Sequence, residues 1–308
     1  MTSRGLFPRR AGCFVLALVF LPSLAAAKGW EPATYVLSMT AFGTSEAFPG
    51  SDGSGPDRGL DPNVSLSSAT RLSPTTKLGF GLSGGFHLQQ QFTKANYGWL
   101  GANSTVRRNR TTLTLDAEYT PHRNKFPTDP EEGGEYTGMG VTVGGRQAIG
   151  QRARLRIEGT VDREDFAPPN SLRDGVGREL YGQYVFAPLK GVDLRAEGSF
   201  THDQTQSRKY VKDTQWVGGG GVWSDSLWRL DLGARSGLRR YTDAILGDSN
   251  YQRRDQWIEL RARCGRALRT GLAATVGATF VNQTSSRIDR NYSAGTFTLG
   301  LEWTGGGK

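Results

Sequence analysis

The sequence predicts an all-β fold: a transmembrane antiparallel up-and-down β-barrel of about fourteen strands. Three observations carry this. Apolar and polar residues alternate with period two over long segments, the connections between segments alternate between short and long, and aromatic residues gather at segment ends. Helical spans are excluded, because after residue 27 no stretch supplies the ~20 apolar residues that a spanning helix needs. The chain is 22% charged and 36% hydrophobic, and its 42 glycines against 13 prolines suit pleated strands and turns.

Residues 1–27 read as a cleaved signal peptide and 28–308 as the barrel domain. Arg4, Arg9 and Arg10 form a positive n-region, Cys13 to Ala25 is an apolar run broken by Pro22, and Ala25-Ala26-Ala27 precedes Lys28 as a small-residue cleavage site. The run is shorter than the ~17 residues of a membrane anchor. Cys13 stands at the start of this run and not at its end, which argues against lipidation. Cleavage removes three arginines from a chain of net charge +9, so the remainder stays basic. It leaves Cys264 as the only cysteine and no intramolecular disulfide.

The expected strands, in order, are 33–43, 60–73, 77–91, 109–119, 136–149, 154–165, 178–187, 192–203, 213–223, 227–239, 253–264, 270–282 and 292–303. Arg154, Arg156, Glu158, Thr160 and Asp162 alternate with Leu155, Ile157, Gly159 and Val161. Asp193, Arg195 and Glu197 interleave with Leu194 and Ala196; Arg229 and Asp231 with Leu230 and Leu232; Glu259 and Arg261 with Leu260 and Ala262. Thr112, Thr114, Asp116 and Glu118 do the same with Leu113, Leu115 and Ala117, and Thr296, Thr298 and Glu302 with Phe297, Leu299 and Leu301.

A soluble sandwich would alternate in the same way, but its strands are typically 5 or 6 residues. These segments match or exceed the ~9–11 residues of a tilted outer-membrane strand. Short connections fall at Ser73–Thr76, Gly150–Ala153, Pro188–Gly191, Ser224–Ser226 and Gly265–Thr270, and long ones surround 44–59, 93–108, 166–177, 204–212, 241–252 and 283–290. Tight periplasmic turns and longer outer loops are the barrel pattern. Trp223, Trp228, Trp303 and Tyr119 are expected at one membrane interface, and Tyr251, Tyr292, Phe166 and Phe200 at the other. Thirteen strands violate the even count of a bacterial barrel. A weak strand near Arg123–Thr128, after a turn at Thr120-Pro121-His122, restores parity; twelve strands would discard a well-alternating segment and sixteen would leave too little chain for loops.

If apolar residues face lipid, the alternate set faces the lumen, including Arg154, Arg156, Glu158, Arg195, Glu197, Arg229, Asp231, Glu259 and Arg261. Mixed charges there can form cross-strand ladders or line a hydrated pore with a transverse field. The excess positive charge is expected in an outer-loop basic cluster of Arg107, Arg108, Arg110, Arg208, Lys209, Arg253 and Arg254, suited to anionic polymers or to lipopolysaccharide phosphates. Catalysis has little support. His87, His122 and His202 stand in no recognisable setting for a nucleophile or base, and the serine and asparagine that would make Thr201-His202-Asp203 resemble an outer-membrane phospholipase strand are missing. Asp52, Asp57 and Asp61, or Glu131, Glu132 and Glu135, read as solvated acidic loops rather than calcium sites. No cofactor motif and no stacking platform for nucleic acid occurs.

Over its whole length after residue 27 the chain resembles a bacterial outer-membrane β-barrel of the loosely defined porin type, which includes barrels encoded with polysaccharide-export systems. The likeness is strongest in the last two hairpins, Tyr251-Gln-Arg-Arg-Asp255 with its strand and Asn291 through Trp303. It implies an outer-membrane channel, with envelope polysaccharide export as its cargo route and outer-membrane lipid, lipopolysaccharide, the barrel-assembly machinery and a periplasmic export partner as its partners. A non-conducting structural or adhesive barrel is the alternative. Such proteins usually end on an aromatic residue, whereas here Thr-Gly-Gly-Gly-Lys308 follows Trp303.

Overall fold

The structure is a computed structural model that describes residues 30–45, 55–91, 95–125, 134–248, 250–287 and 290–306; the signal-peptide reading lies outside them. Among the described residues the strands are β1 (Thr34–Thr44), β2 (Asp57–Ser73), β3 (Thr76–Gln89), β4 (Tyr97–Arg108), β5 (Thr111–Lys125), β6 (Gly134–Ile149) and β7 (Ala153–Phe166), followed by β8 (Gly175–Leu189), β9 (Val192–Thr205), β10 (Lys212–Ser224), β11 (Trp228–Tyr241), β12 (Arg254–Arg269), β13 (Leu272–Ser285) and β14 (Tyr292–Gly306). Each pairs antiparallel with the next, and β14 pairs with β1 to close the barrel. Closure leaves no unpaired strand edge, which is what a sheet in lipid requires.

Strand lengths run from 11 residues in β1 to 17 in β2, enough to cross a bilayer at a tilt. The alternation places Ile157, Val161, Leu194, Leu232, Ile258, Leu260, Leu299 and Leu301 on the outer surface, exposed, while charged and hydroxyl side chains share the inner face. Few apolar residues are buried: Ala95, Tyr136, Phe166, Val211 and Ala294. The hydrophobic surface is therefore outside, and hydrocarbon is the solvent that it fits.

The fourteenth strand is not the one that parity suggested. The segment 97–108, expected as part of a long loop, is β4. The irregularity at Thr120-Pro121-His122 is a register shift within β5, with His122 at φ 54°, and not a reversal of the chain. A β-bulge adds residues to one strand and keeps its direction. This correction turns 109–119 end for end. β4 and β5 meet in a tight turn at Asn109-Arg110, where Asn109 takes a φ of 52° that asparagine tolerates well.

Six connections are short and lie at one end of the barrel with the start of β1 and the end of β14; the longer ones lie at the other. At the short-turn end Trp223, Trp228 and Trp303 point outward, joined by Tyr35 packed edge-on against Trp303 at 5.4 Å. Tyr119 does not belong to that belt, because β5 carries it towards the opposite end. Phe200 points outward there too, whereas Phe166 and Tyr292 point into the lumen and belong to no lipid-facing girdle.

Candidate functional site: the lumen and its two mouths

A ring of this many strands is wider than the eight whose side chains fill the interior. Its inner wall is divided. From β13 through β14 to β1 it carries hydroxyls such as Thr275, Thr279, Thr298 and Thr40; from β5 to β12 it carries charge. Strand register sets Arg195, Glu197, Asp231, Arg235, Glu259 and Arg261 on one inward patch. Arg195 grips Asp231 with both terminal nitrogens, at 2.6 and 3.1 Å, and Arg235 meets Glu259 at 2.7 Å. Arg261 reaches Glu197 at 3.0 Å, where Tyr181 and Gln183 also donate at 2.9 and 3.0 Å.

Arg261 lies on β12 and Glu197 on β9, so the guanidinium crosses two strands. Glycine makes this crossing feasible. A Cβ on Gly233 would sit 3.0 Å from Arg195 Nη2 and 3.3 Å from Arg261 Nε, and one on Gly218 would sit 2.8 Å from the Arg235 Cβ. The Arg235 guanidinium also lies 5.3 and 5.4 Å from the ring centres of Trp216 and Trp257, a contact that favours the cation. Gly218-Gly219-Gly220-Gly221 was the sequence signal for this floor: four glycines weaken a strand, and such a run needs a packing reason. Of the other charges expected inward, Arg156 pairs with Glu158 at 2.5 Å and Arg154 with Asp193 at 2.7 Å, while Arg229 is exposed near the short-turn end. A cavity of about 510 Å³ opens between β3 and β7, its lining including Asp116, Glu118, Asp162, Glu164, Trp99 and Arg123.

The two mouths differ. At the long-connection end, Asp255 is fully buried and holds Arg253 through two hydrogen bonds of 3.0 Å, with Arg239 3.7 Å away and the Ser285 hydroxyl donating at 2.6 Å. Arg253 also donates to Asn250, whose amide bonds the Lys209 carbonyl at 3.2 Å, tying the β11–β12 connection to the β9–β10 connection. Carboxylates of Asp57, Asp61, Glu135, Asp165, Asp174, Asp203 and Asp213 lie among the arginines of this end.

The expected outer-loop basic cluster is therefore split. Arg208 and Lys209 sit in a short 3-10 turn at the long-connection end, and Arg254 starts β12 there, exposed. Arg253 is buried and neutralised. Arg107, Arg108 and Arg110 lie at the opposite, short-turn end, because β4 runs down to them. There they join Arg71, Lys77, Arg146, Arg152, Lys190, Arg263, Arg266 and Arg269, with Glu31, Asp193, Asp225, Asp231 and Glu302 among the described carboxylates nearby. The excess positive charge is at this mouth.

Each histidine has a carboxylate neighbour: His87 with Asp61 at 2.6 Å, His122 with Glu135 at 2.6 Å and His202 with Asp213 at 2.7 Å. His202 faces outward, away from the lumen. Asp57 is buried and accepts the Gln91 backbone N–H at 3.0 Å, so with Asp61 it is already engaged by protein. Among the described residues no cluster of three metal-ligating side chains occurs; Asp52, Glu131 and Glu132 lie outside them. Within the long connections expected around 44–59 and 93–108, residues 57–59 belong to β2 and 97–108 form β4, with Tyr97 and Trp99 on its inner face.

No protein-family model matches the chain, and no curated protein sequence matches it. Solved structures do. The outer membrane channel DcaP of Acinetobacter baumannii superposes with a TM-score of 0.53 at 12% identity, covering 91% of this chain and 99% of that one. The fold is that of outer-membrane β-barrels. The outer membrane protein OmpT of Vibrio cholerae, in its trimer form, matches with a TM-score of 0.50 at 7% identity, over 90% of this chain and all of the other. At such identities the barrel architecture is shared and the residues lining it are this chain's own.

Proposed function

We propose that this protein is a porin-like channel of the bacterial outer membrane that passes polar solutes, with anionic envelope polysaccharide as its cargo class. One observation carries the reading. A closed ring too wide for its own side chains to fill has a charged, hydroxylated inner face and an apolar outer face, the arrangement of a hydrated path across lipid. The paired arginines and carboxylates of β9–β12 fix guanidinium groups on the wall of that path. They would stabilise a passing carboxylate or sulfate without closing the lumen. Outside, Phe297, Leu299, Leu301 and Trp303 present the lipid-facing row of the last strand to the barrel-assembly machinery, and the outer rim meets lipopolysaccharide.

Single-channel recording of the reconstituted barrel in planar bilayers tests this. A steady conductance is expected. Silence from correctly folded protein would favour the non-conducting structural or adhesive barrel.

A further inference from the structure

The short-turn mouth carries a feature that a channel wall does not need. Arg71 on β2 stands directly opposite Lys77 on β3, and Lys77 stands directly opposite Arg107 on β4. The row continues through Thr112 on β5 to Arg146 on β6 and Arg156 on β7. Direct partners share a face, so all six positions point into the lumen. Like charges directly opposite one another are destabilising. The wall accepts this at Arg71–Lys77, Lys77–Arg107 and Arg146–Arg156, within an arc of about 24 Å that Thr112 interrupts, given a strand spacing near 4.8 Å.

Little within the protein relieves it. Lys77 has Glu31 at 2.7 Å and Arg156 has Glu158 at 2.5 Å. Arg71, Arg107 and Arg146 are exposed and have no carboxylate partner among the described residues. Lipid phosphate does not account for them either, because they face inward. The outward cations of this end, such as Arg108 and Arg266, already suit the inner leaflet by snorkelling. A docked protein would be met by residues on the turns, such as Arg110 and Arg152, rather than by an arc inside the opening.

We infer that this arc is a binding site for a linear polyanion, a chain with carboxylates or phosphates at intervals, which enters the lumen from the short-turn side. The idea rests on the channel reading above and adds the residues that bind the polyanion and a direction of entry. An extended row of cations binds a chain better than it binds a single ion, since several weak exposed pairs act together once the first has formed. The paired charges deeper in the lumen on β9–β12 would receive the chain next.

Two measurements test it. Oligogalacturonate, tripolyphosphate and neutral maltodextrin are titrated by calorimetry against the detergent-solubilised barrel at low salt. The polyanions should bind, more weakly as salt rises, and maltodextrin should not. Arg71→Gln with Lys77→Gln and Arg107→Gln should weaken binding about tenfold, while Arg71→Lys with Arg107→Lys retains most of it and shows that fold loss is not the cause. If only one polyanion binds, the ligand is that one's chemistry. In planar bilayers, oligogalacturonate should interrupt the current more often from the short-turn side than from the other. Equal affinity in the triple Gln variant, equal binding of maltodextrin, or equal block from both sides would overturn the inference while leaving a conducting channel intact. Failure to conduct would sink the channel reading, and the calorimetry would still decide whether the arc binds.

Discussion

At the long-connection mouth, cationic side chains are folded into the wall and neutralised; at the short-turn mouth they stand in water with few counter-charges. Arg253 and Arg107 came from one composition and were expected in one cluster. Arg253 has Asp255, Asn250 and the Tyr241 ring around it, 4.8 Å to the ring centre. Arg107 has another cation as its direct cross-strand neighbour. An arginine surrounded by acceptors holds two loops in register. One surrounded by cations and water projects a field. The difference lies in strand direction and register, not in the residue.

The contrast can be broken most decisively at Asp255. Changing it to Asn leaves Arg253 buried without its charge partner, which should cost about 3–5 kcal/mol in a urea titration of the barrel in lipid vesicles and make 242–253 sensitive to protease. Arg107→Ala at the other mouth should stay within about 0.5 kcal/mol of the parent. Comparable losses at both sites would remove the distinction between the mouths.

Between the mouths, Leu260→Arg on the lipid face should cost about 2–4 kcal/mol, whereas Leu230→Arg, close to Trp228 at the short-turn interface, should cost about 0–1. Thr114→Arg on the inner face should cost far less than Leu260→Arg. Equal tolerance at Leu260 and Thr114 would mean that the two faces are wrongly assigned. Glu197→Gln should lose about 1–3 kcal/mol and shift ion selectivity towards anions, because Arg261 would lose its acceptor charge; unchanged selectivity would show that this patch lies off the permeation path.

The smallest effect belongs to Asp225, in the β10–β11 turn. Backbone N–H groups of Trp228 and Leu227 hold its carboxyl below the usual carboxylate range. A depressed value stabilises the fold above the unfolded value of about 3.9 and loses that contribution as pH falls through the folded one. Asp225→Asn should lower stability slightly at neutral pH and leave strongly acidic pH nearly unchanged, which flattens the acid side of the profile. An equal loss at pH 7 and in acid would mean that the turn depends on the residue's shape and not on its charge.

The barrel was legible because lipid and lumen impose opposite demands on successive residues, and the central stretches 155–161 of β7 and 258–263 of β12 obey both. β4 was hidden because its lumen face carries Tyr97 and Trp99 and its lipid face carries Gly98 and Ser104, so polarity does not alternate. The break at Pro121-His122 is legible as an irregularity but not as a bulge, since a bulge and a reversal share the same local residues. The hidden β4 is what places Arg107, Arg108 and Arg110 at the mouth opposite to the expected one. The pairing of Arg261 with Glu197 was out of reach, because the two residues lie 64 positions apart in the chain and the contact depends on glycines between their strands.

The most direct test of the account is the reversal potential of the reconstituted channel under a KCl gradient imposed in each direction. Exposed charges are screened within about 3 Å at 1 M and about 30 Å at 0.01 M salt, so the mouth facing the dilute solution governs selectivity. Chloride preference should be stronger when the short-turn mouth faces the dilute side. A stronger preference with the long-connection mouth on that side, or no conductance in either direction, would contradict the account.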